Sequence, residues 1–306
     1  VFVQSESEVA AINMVYGAAS AGVRAMTSSS SPGISLKSEG ISYLAGSDLP
    51  CLIVNVQRGS PGLGGIQPSQ ADYWQAPRAP GHGDLHVLVF APSSIQEMVD
   101  MVFDAFDLAD CYRMPAMILA DGMLGQMMEP ISFPEKQVKT YDKSGWSTSG
   151  HQHKRAHHIV NSLYLQPEEL EAKILERFQR YEEVKAKHTR CEEYLMEDAE
   201  YVVVAYGATS RIVRSSVNSA REKGIKVGLI RPLTLWPYPY APIEKAAERG
   251  AKAFLSVEMS MGQMVDDVRI AVNGRAPVSF FGRTGGVIPT PAEVLSEIEK
   301  MAGGDR

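Results

Sequence analysis

The feature that most constrains this chain is a repeated alternation of short, continuously apolar runs with longer segments of helical period. Cys51 to Val56, Val87 to Ala91 and Ala116 to Ala120 are too uniformly hydrophobic for strands with one wet face, and runs of that kind belong to strands covered on both sides. Between them the spacing predicts helices over Ala10 to Ala21, Leu36 to Ala45 and Ile95 to Tyr112, with a short strand at Val23 to Thr27 and a further strand ending near Val3. Ser94 and Glu97 supply the cap of the third helix. Alternation of this type gives a mostly parallel sheet with helices on both faces, and its ligands sit at the carboxyl ends of the strands. The loops expected there are Ser5 to Glu8, Ser28 to Gly33, Gln57 to Gly65 and Asp121 to Met123.

A second alternation begins near Ala199. It runs from a strand at Tyr201 to Ala205 through a Gly207-Ala208-Thr209-Ser210 turn and a helix at Arg211 to Lys223 to a strand at Val227 to Ile230. Gly224 follows that helix where a left-handed residue is wanted, and Pro242 to Arg249, Phe254 to Val257 and Gly262 to Asn273 repeat the theme. Between the halves, Glu135 to His158 is polar and aperiodic. A charged helix follows, with Pro167 in its first turn and an apolar stripe at Leu170, Ile174, Phe178, Tyr181 and Val184. The expected organisation is α/β, with two doubly wound parallel-sheet domains at residues 1–134 and 195–306 and a linker at 135–194. A length of 306 residues suits two domains.

Composition narrows the partners. A net charge of −6, with no basic cluster interleaved with aromatics, argues against nucleic acid. No stretch approaches the roughly 20 apolar residues that cross a bilayer. Cys51, Cys111 and Cys191 are too dispersed to build a zinc knuckle or hold an iron–sulfur cluster, and their sparse, odd number fits a reducing, cytoplasmic setting.

Several side chains invite chemistry, each with a plainer alternative. Glu8 stands three residues after Ser5 and fits a capping box, yet its place at a strand end also suits a desolvated carboxyl facing a heteroaromatic ligand. Ser28, Ser29 and Ser30 precede a helix, where their N–H groups would cradle an anion or simply make a turn. Arg58 opens a glycine-rich loop and would either fork onto a carboxylate or bridge loop carbonyls. For His82, Asp84 and His86, loop ordering is favoured over a metal, and His151, His153, His157 and His158 read as a solvated tract. Gly207 to Ser210 is a weak anion-site candidate, and Met259, Met261 and Met264 suit either a docking surface or the core.

Taken together, Glu6 to Asn13, Thr27 to Gly33, Asn55 to Gly59, Gly81 to Asp84, Ala91 to Ser94, Ala120 to Gly122, Arg231 to Pro237 and Gly282 to Gly286 resemble the α subunit of the 2-oxoacid:ferredoxin oxidoreductases. Asn161 to Leu165 and Leu235 to Pro239 look most like the branched-chain (2-ketoisovalerate) type. The resemblance implies a thiamine diphosphate pyrimidine-binding domain followed by a transketolase C-terminal-like domain. The first domain would lack its beginning, since the family's Tyr-Pro-Ile-Thr-Pro-like segment would precede Phe2. Glu8 would hydrogen-bond the aminopyrimidine, Ser28, Ser29 and Ser30 would line the cofactor, and Arg58 would meet the 2-oxoacid carboxylate. The implied activity is decarboxylation to an acyl group passed to coenzyme A, with electrons going to ferredoxin. No GDG…N motif is present. A β subunit with the diphosphate-binding domain and its magnesium site, γ/δ-type subunits and iron–sulfur clusters on partner chains are therefore implied. The alternative is a non-catalytic α/β scaffold that only shapes an interface.

Overall fold

The computed structural model describes residues 1–133, 135 and 139–303. The expected boundary at Pro134 and the chain end at Arg306 lie outside them.

The first half runs α1 (Glu8–Ser20), β1 (Met26–Ser29), α2 (Ser31–Gly46), β2 (Cys51–Gln57), α3 (Gln75–Arg78), β3 (Leu88–Phe90), α4 (Ile95–Tyr112), β4 (Pro115–Asp121) and α5 (Gly122–Gln126). After the polar stretch come α6 (Pro167–His188), β5 (Cys191–Tyr194), β6 (Tyr201–Val204), α7 (Thr209–Glu222), β7 (Val227–Pro232) and β8 (Thr234–Trp236). The chain ends with α8 (Tyr240–Glu248), β9 (Ala253–Glu258), α9 (Met264–Val272), β10 (Val278–Gly282) and α10 (Pro291–Gly303).

Two five-stranded sheets result, in the orders β1-β2-β4-β3-β8 and β10-β9-β6-β7-β5. Each is parallel except for one antiparallel edge strand, β8 on β3 and β5 on β7. The apolar runs form the central strands: every residue of β4 is buried, and β2 pairs with it from Cys51–Pro115 to Gln57–Asp121. Helix α4 carries the expected cap, with the Glu97 N–H donating to Ser94 Oγ, while the Glu97 carboxylate accepts from the Ser93 N–H at 2.8 Å. Gly224, at φ +82°, closes α7 as the sequence predicts. Among the described residues no helix is long and apolar enough to cross a membrane.

Three local expectations fail. The opening residues form no strand, and Val1, Phe2 and Val3 are exposed. The Ser5–Glu8 capping box does not form, because Ser5 Oγ donates to the Ser7 carbonyl and Ser7, which caps α1, makes no side-chain bond to it. The first strand starts at Met26 and the second helix at Ser31, both later and earlier respectively than the periodicity suggests, so Ser28 and Ser29 lie on β1 and Ser30 caps α2. Pro32 in the first turn sets this helix start. One strand crosses between the halves: β8 leaves the second half to complete the first sheet, with Trp236 opposite Val89 and Thr234 opposite Phe90.

Helix α6 locks that arrangement. Tyr181 and Val184 bury, although Leu170 stays exposed. Arg177 donates to Asp48 Oδ1 and to the Gly46 carbonyl, both at 3.0 Å, tying α6 to the end of α2. Met259 and Met264 are core residues, and of the three methionines only Met261 is exposed.

Candidate active site

The carboxyl ends of β1 and β2 and the first turns of α1 and α2 meet at one edge of the first sheet. Glu8, the first residue of α1, lays its side chain against Gly33 in the first turn of α2. A Cβ at Gly33 would stand 2.0 Å from Ser29 Oγ, 2.9 Å from Glu8 Cγ and 3.0 Å from Glu8 Oε1, so only glycine leaves room for both side chains. Glu8 is half-buried, and its carboxylate makes no hydrogen bond among the described residues.

Arg58 reaches the other side of the same turn. Its Nε donates to Ser30 Oγ at 3.2 Å, its backbone N–H donates to Ser31 Oγ at 3.1 Å, and one terminal nitrogen donates to the carbonyls of Leu63 at 2.7 Å and Gly65 at 3.3 Å. The guanidinium thus bridges its own loop to the start of α2. That loop needs glycine at position 64, where φ is +55° and a Cβ would meet the Gly59 carbonyl oxygen at 1.7 Å. Gly59 in turn packs on the backbone of Gly285, and Gly286 on Gln67, bringing the Gly282 to Gly286 motif of the second half to this edge.

The three serines part company. Ser29 sits beside Glu8, Ser30 holds Arg58, and Ser28 is exposed while its carbonyl faces inward. Glu8 and Arg58 consequently flank α2's first turn with Ser29 and Ser30 between them.

Other candidates have structural roles. Gly207 abuts Gln70 Nε2, and Thr209 and Ser210 are buried, with Thr209 Oγ1 donating to Gln70 Oε1 at 2.9 Å. That helix start is plugged by the first half. Asp121 accepts from the N–H groups of Met123 and Leu124 at the start of α5, and burial raises its carboxyl above the usual range despite these donors. His86 stacks on Trp236 with ring centroids 4.5 Å apart, and burial, with help from Lys185, pushes its pKa down to about 4.

Two residues escaped the sequence reading. Lys37, one turn along α2 from Gly33, is buried and donates to Thr27 Oγ1 and the Ser28 carbonyl. Its signal was legible, because it stands on the apolar stripe of Ile34, Ile41 and Leu44. Gln70 is wholly buried between the halves and had no signal, since an isolated glutamine in a loop carries no period.

One observation fits a thiamine diphosphate site: a half-buried carboxylate without a hydrogen bond among the described residues, at a strand end, over a glycine that a Cβ would close. Such a group is free to accept a hydrogen bond from a heterocycle.

Residues 1–208 match the family model for the thiamine diphosphate-binding region of pyruvate flavodoxin/ferredoxin oxidoreductases, and residues 199–294 match that for pyruvate:ferredoxin oxidoreductase core domain II. The chain belongs to the 2-oxoacid:ferredoxin oxidoreductase family. Among curated relatives, the ketoisovalerate oxidoreductase subunit VorB of Methanothermobacter marburgensis is 50% identical over 99% of this chain and 85% of its own length. The 2-oxoglutarate synthase subunit KorA of Methanothermobacter thermautotrophicus is 36% identical over 98% of this chain and 86% of its own length. The 2-oxoglutarate:ferredoxin oxidoreductase of Magnetococcus marinus, solved with 2-oxoglutarate, coenzyme A and succinyl-CoA bound, superposes with a TM-score of 0.79 at 25% identity. That match covers 98% of this chain and 57% of that one. A split-gene transketolase, in an inactive β4 tetramer, shares the fold with a TM-score of 0.61 at 13% identity, over the whole of this chain and 84% of its own. Within the family, the relatives' names make this a subunit-type chain of a 2-oxoacid oxidoreductase.

Proposed function

We propose that this chain is the α-type subunit of a thiamine diphosphate-dependent 2-oxoacid:ferredoxin oxidoreductase acting on a branched-chain 2-oxoacid such as 2-ketoisovalerate. The observation that carries it is the placement of Glu8 over Gly33 at the strand ends, within a chain 50% identical to a ketoisovalerate oxidoreductase subunit. Thiamine diphosphate held here beside Glu8, Ser29 and Ser30 would supply the carbanion chemistry and electron sink that decarboxylation of a 2-oxoacid needs.

In this reading Glu8 accepts a proton-sharing hydrogen bond from the aminopyrimidine, and its partial burial strengthens that bond. Ser29 packs beside it and fixes its rotamer. Arg58 uses a guanidinium already anchored to Ser30 and the Leu63 and Gly65 carbonyls to meet the oxoacid carboxylate, so little of its freedom is lost on binding. A β subunit supplies the diphosphate and magnesium site, γ/δ-type subunits carry iron–sulfur clusters, ferredoxin takes the electrons and coenzyme A the acyl group. The setting is cytoplasmic.

Glu8→Gln in the assembled complex tests this. Turnover is expected to fall by about a hundredfold or more, the scale of a lost proton-transfer partner, while assembly persists. Normal turnover would remove Glu8 from the mechanism. Titrating thiamine diphosphate into the chain alone and into its mixture with the β subunit checks the shared site, with binding expected only in the mixture. Absence of binding in both would favour a scaffold.

A further inference from the structure

Helix α2 buries a stripe at Ile34, Lys37, Ile41 and Leu44, and Lys37 is as enclosed as its neighbours, at 1% exposure. A lysine at such a position is costly, since the ammonium loses its water. The Lys37 Nζ donates to Thr27 Oγ1 at 2.7 Å and to the Ser28 carbonyl at 3.1 Å, both on β1. Burial lowers its pKa, and the charge that works against this is the Glu8 carboxylate.

The geometry explains that coupling. Gly33 and Lys37 are four residues apart on α2 and so share one face, one turn above the other. Glu8 Oε1 lies against Gly33, and Lys37 extends from the next turn to the same end of β1. The groups facing Lys37 are Thr27 and Ser28 from β1 and Glu8 from α1. Those beside Glu8 are Ser29 and Gly33, with Arg58 on the far side of the turn through Ser30.

We propose that Lys37 is a positioning residue for the Glu8 site, a buried cation that draws the Glu8 carboxylate toward α2 while its hydrogen bonds hold the end of β1. This rests on the reading of Glu8 as the group that meets the aminopyrimidine. The counter-charge, rather than bulk, is what the site requires, so the role separates from a packing role.

The experiment uses the assembled complex with Lys37→Met, Lys37→Gln and Glu8→Gln. Lys37→Met removes the desolvation cost but leaves Thr27 Oγ1 and the Ser28 carbonyl without their donor, and its melting temperature reports the balance. Its thiamine diphosphate dissociation constant should rise about tenfold. Lys37→Gln keeps hydrogen-bonding capacity without the charge and should behave like Lys37→Met. Unchanged affinity in both would overturn the proposal, and wild-type behaviour in Lys37→Gln alone would assign the role to hydrogen bonding instead. A direct readout is the pH titration of the Lys37 Nζ by 15N NMR without cofactor, which should deprotonate at lower pH in Glu8→Gln than in wild type. That measurement decides the matter should neither Lys37 variant assemble, and an identical titration would overturn it. A Glu8→Gln complex with normal turnover would defeat the reading of Glu8, whereas a dead Glu8→Gln complex beside unaffected Lys37 variants would defeat only the role of Lys37.

Discussion

The missing side chain at Gly33 is what lets Glu8 and Ser29 occupy one patch of α2. Alanine ordinarily stabilises a helix by up to about 1 kcal/mol over glycine. At position 33 the added methyl would meet Ser29 Oγ at 2.0 Å and Glu8 Cγ at 2.9 Å, so these short or flexible side chains must move. Because they can move, the clash falls on function more than on folding. For Gly33→Ala we expect a melting temperature close to wild type and thiamine diphosphate affinity in the assembled complex lowered about tenfold, equivalent to about 1.4 kcal/mol. Unchanged affinity would mean that the position of Glu8 is not critical to within an atom's width. Arg58 shows the same economy: the bridging of loop carbonyls and the facing of a carboxylate were alternatives in the sequence, and the bonds to Leu63 and Gly65 employ one terminal nitrogen and leave the other without a hydrogen bond among the described residues.

Among the elements, β8 and α6 bind the halves through one aromatic stack. His86, ahead of β3, lies on Trp236 of β8 and against Tyr181 of α6. Burial first, then Lys185, holds its pKa at about 4 against an ordinary 6.5, with Glu182 and Asp84 opposing. The unfolded chain takes this proton near 6.5 and the folded one only near 4, so stability from the neutral ring is complete above 6.5 and is lost as pH falls toward 4. Discounted for partial exposure, the loss is on the order of 2 kcal/mol. Urea denaturation from pH 7 to 4 should therefore show a smaller decline in His86→Phe than in wild type, and parallel declines would show that His86 is not the group responsible. The sequence disclosed β2, β4 and α4 because buried runs and a capped amphipathic period are local properties. It hid β8, whose Thr234-Leu235-Trp236 has no period to read and becomes a strand only because β3 offers an open edge. The expected box at Ser5 failed for a similarly local reason, a hydroxyl turned to the Ser7 carbonyl. The candidate site was legible to the extent that its residues sit at strand ends; the Lys37 beneath it required seeing a charge on an apolar stripe as a signal.

At the scale of the molecule, one side chain makes the two sheets cooperate. Gln70, fully buried, donates from Nε2 to the Tyr206 carbonyl at 3.0 Å, and its Oε1 accepts from Thr209 Oγ1 and the Met259 N–H, each at 2.9 Å. Its backbone N–H donates to the Met259 carbonyl at 2.7 Å. A few residues on, Tyr73 and Arg78 reach Asp267 at 2.6 and 2.8 Å. The segment from Gln70 to Arg78 thus fastens the first half to the start of α7 and to the loop and first turn of α9. Gln70→Leu keeps the volume but strands a buried carbonyl, a hydroxyl and an amide together, and each such group costs about 1–3 kcal/mol. The substitution should lower the melting temperature markedly and, because the fastening lies between the sheets, broaden or split the unfolding transition relative to wild type. Calorimetry of the two chains is the check. A single sharp transition at the wild-type temperature would mean that β8 and α6 alone couple the halves, and that the Gly282 to Gly286 motif reaches the site without help from Gln70.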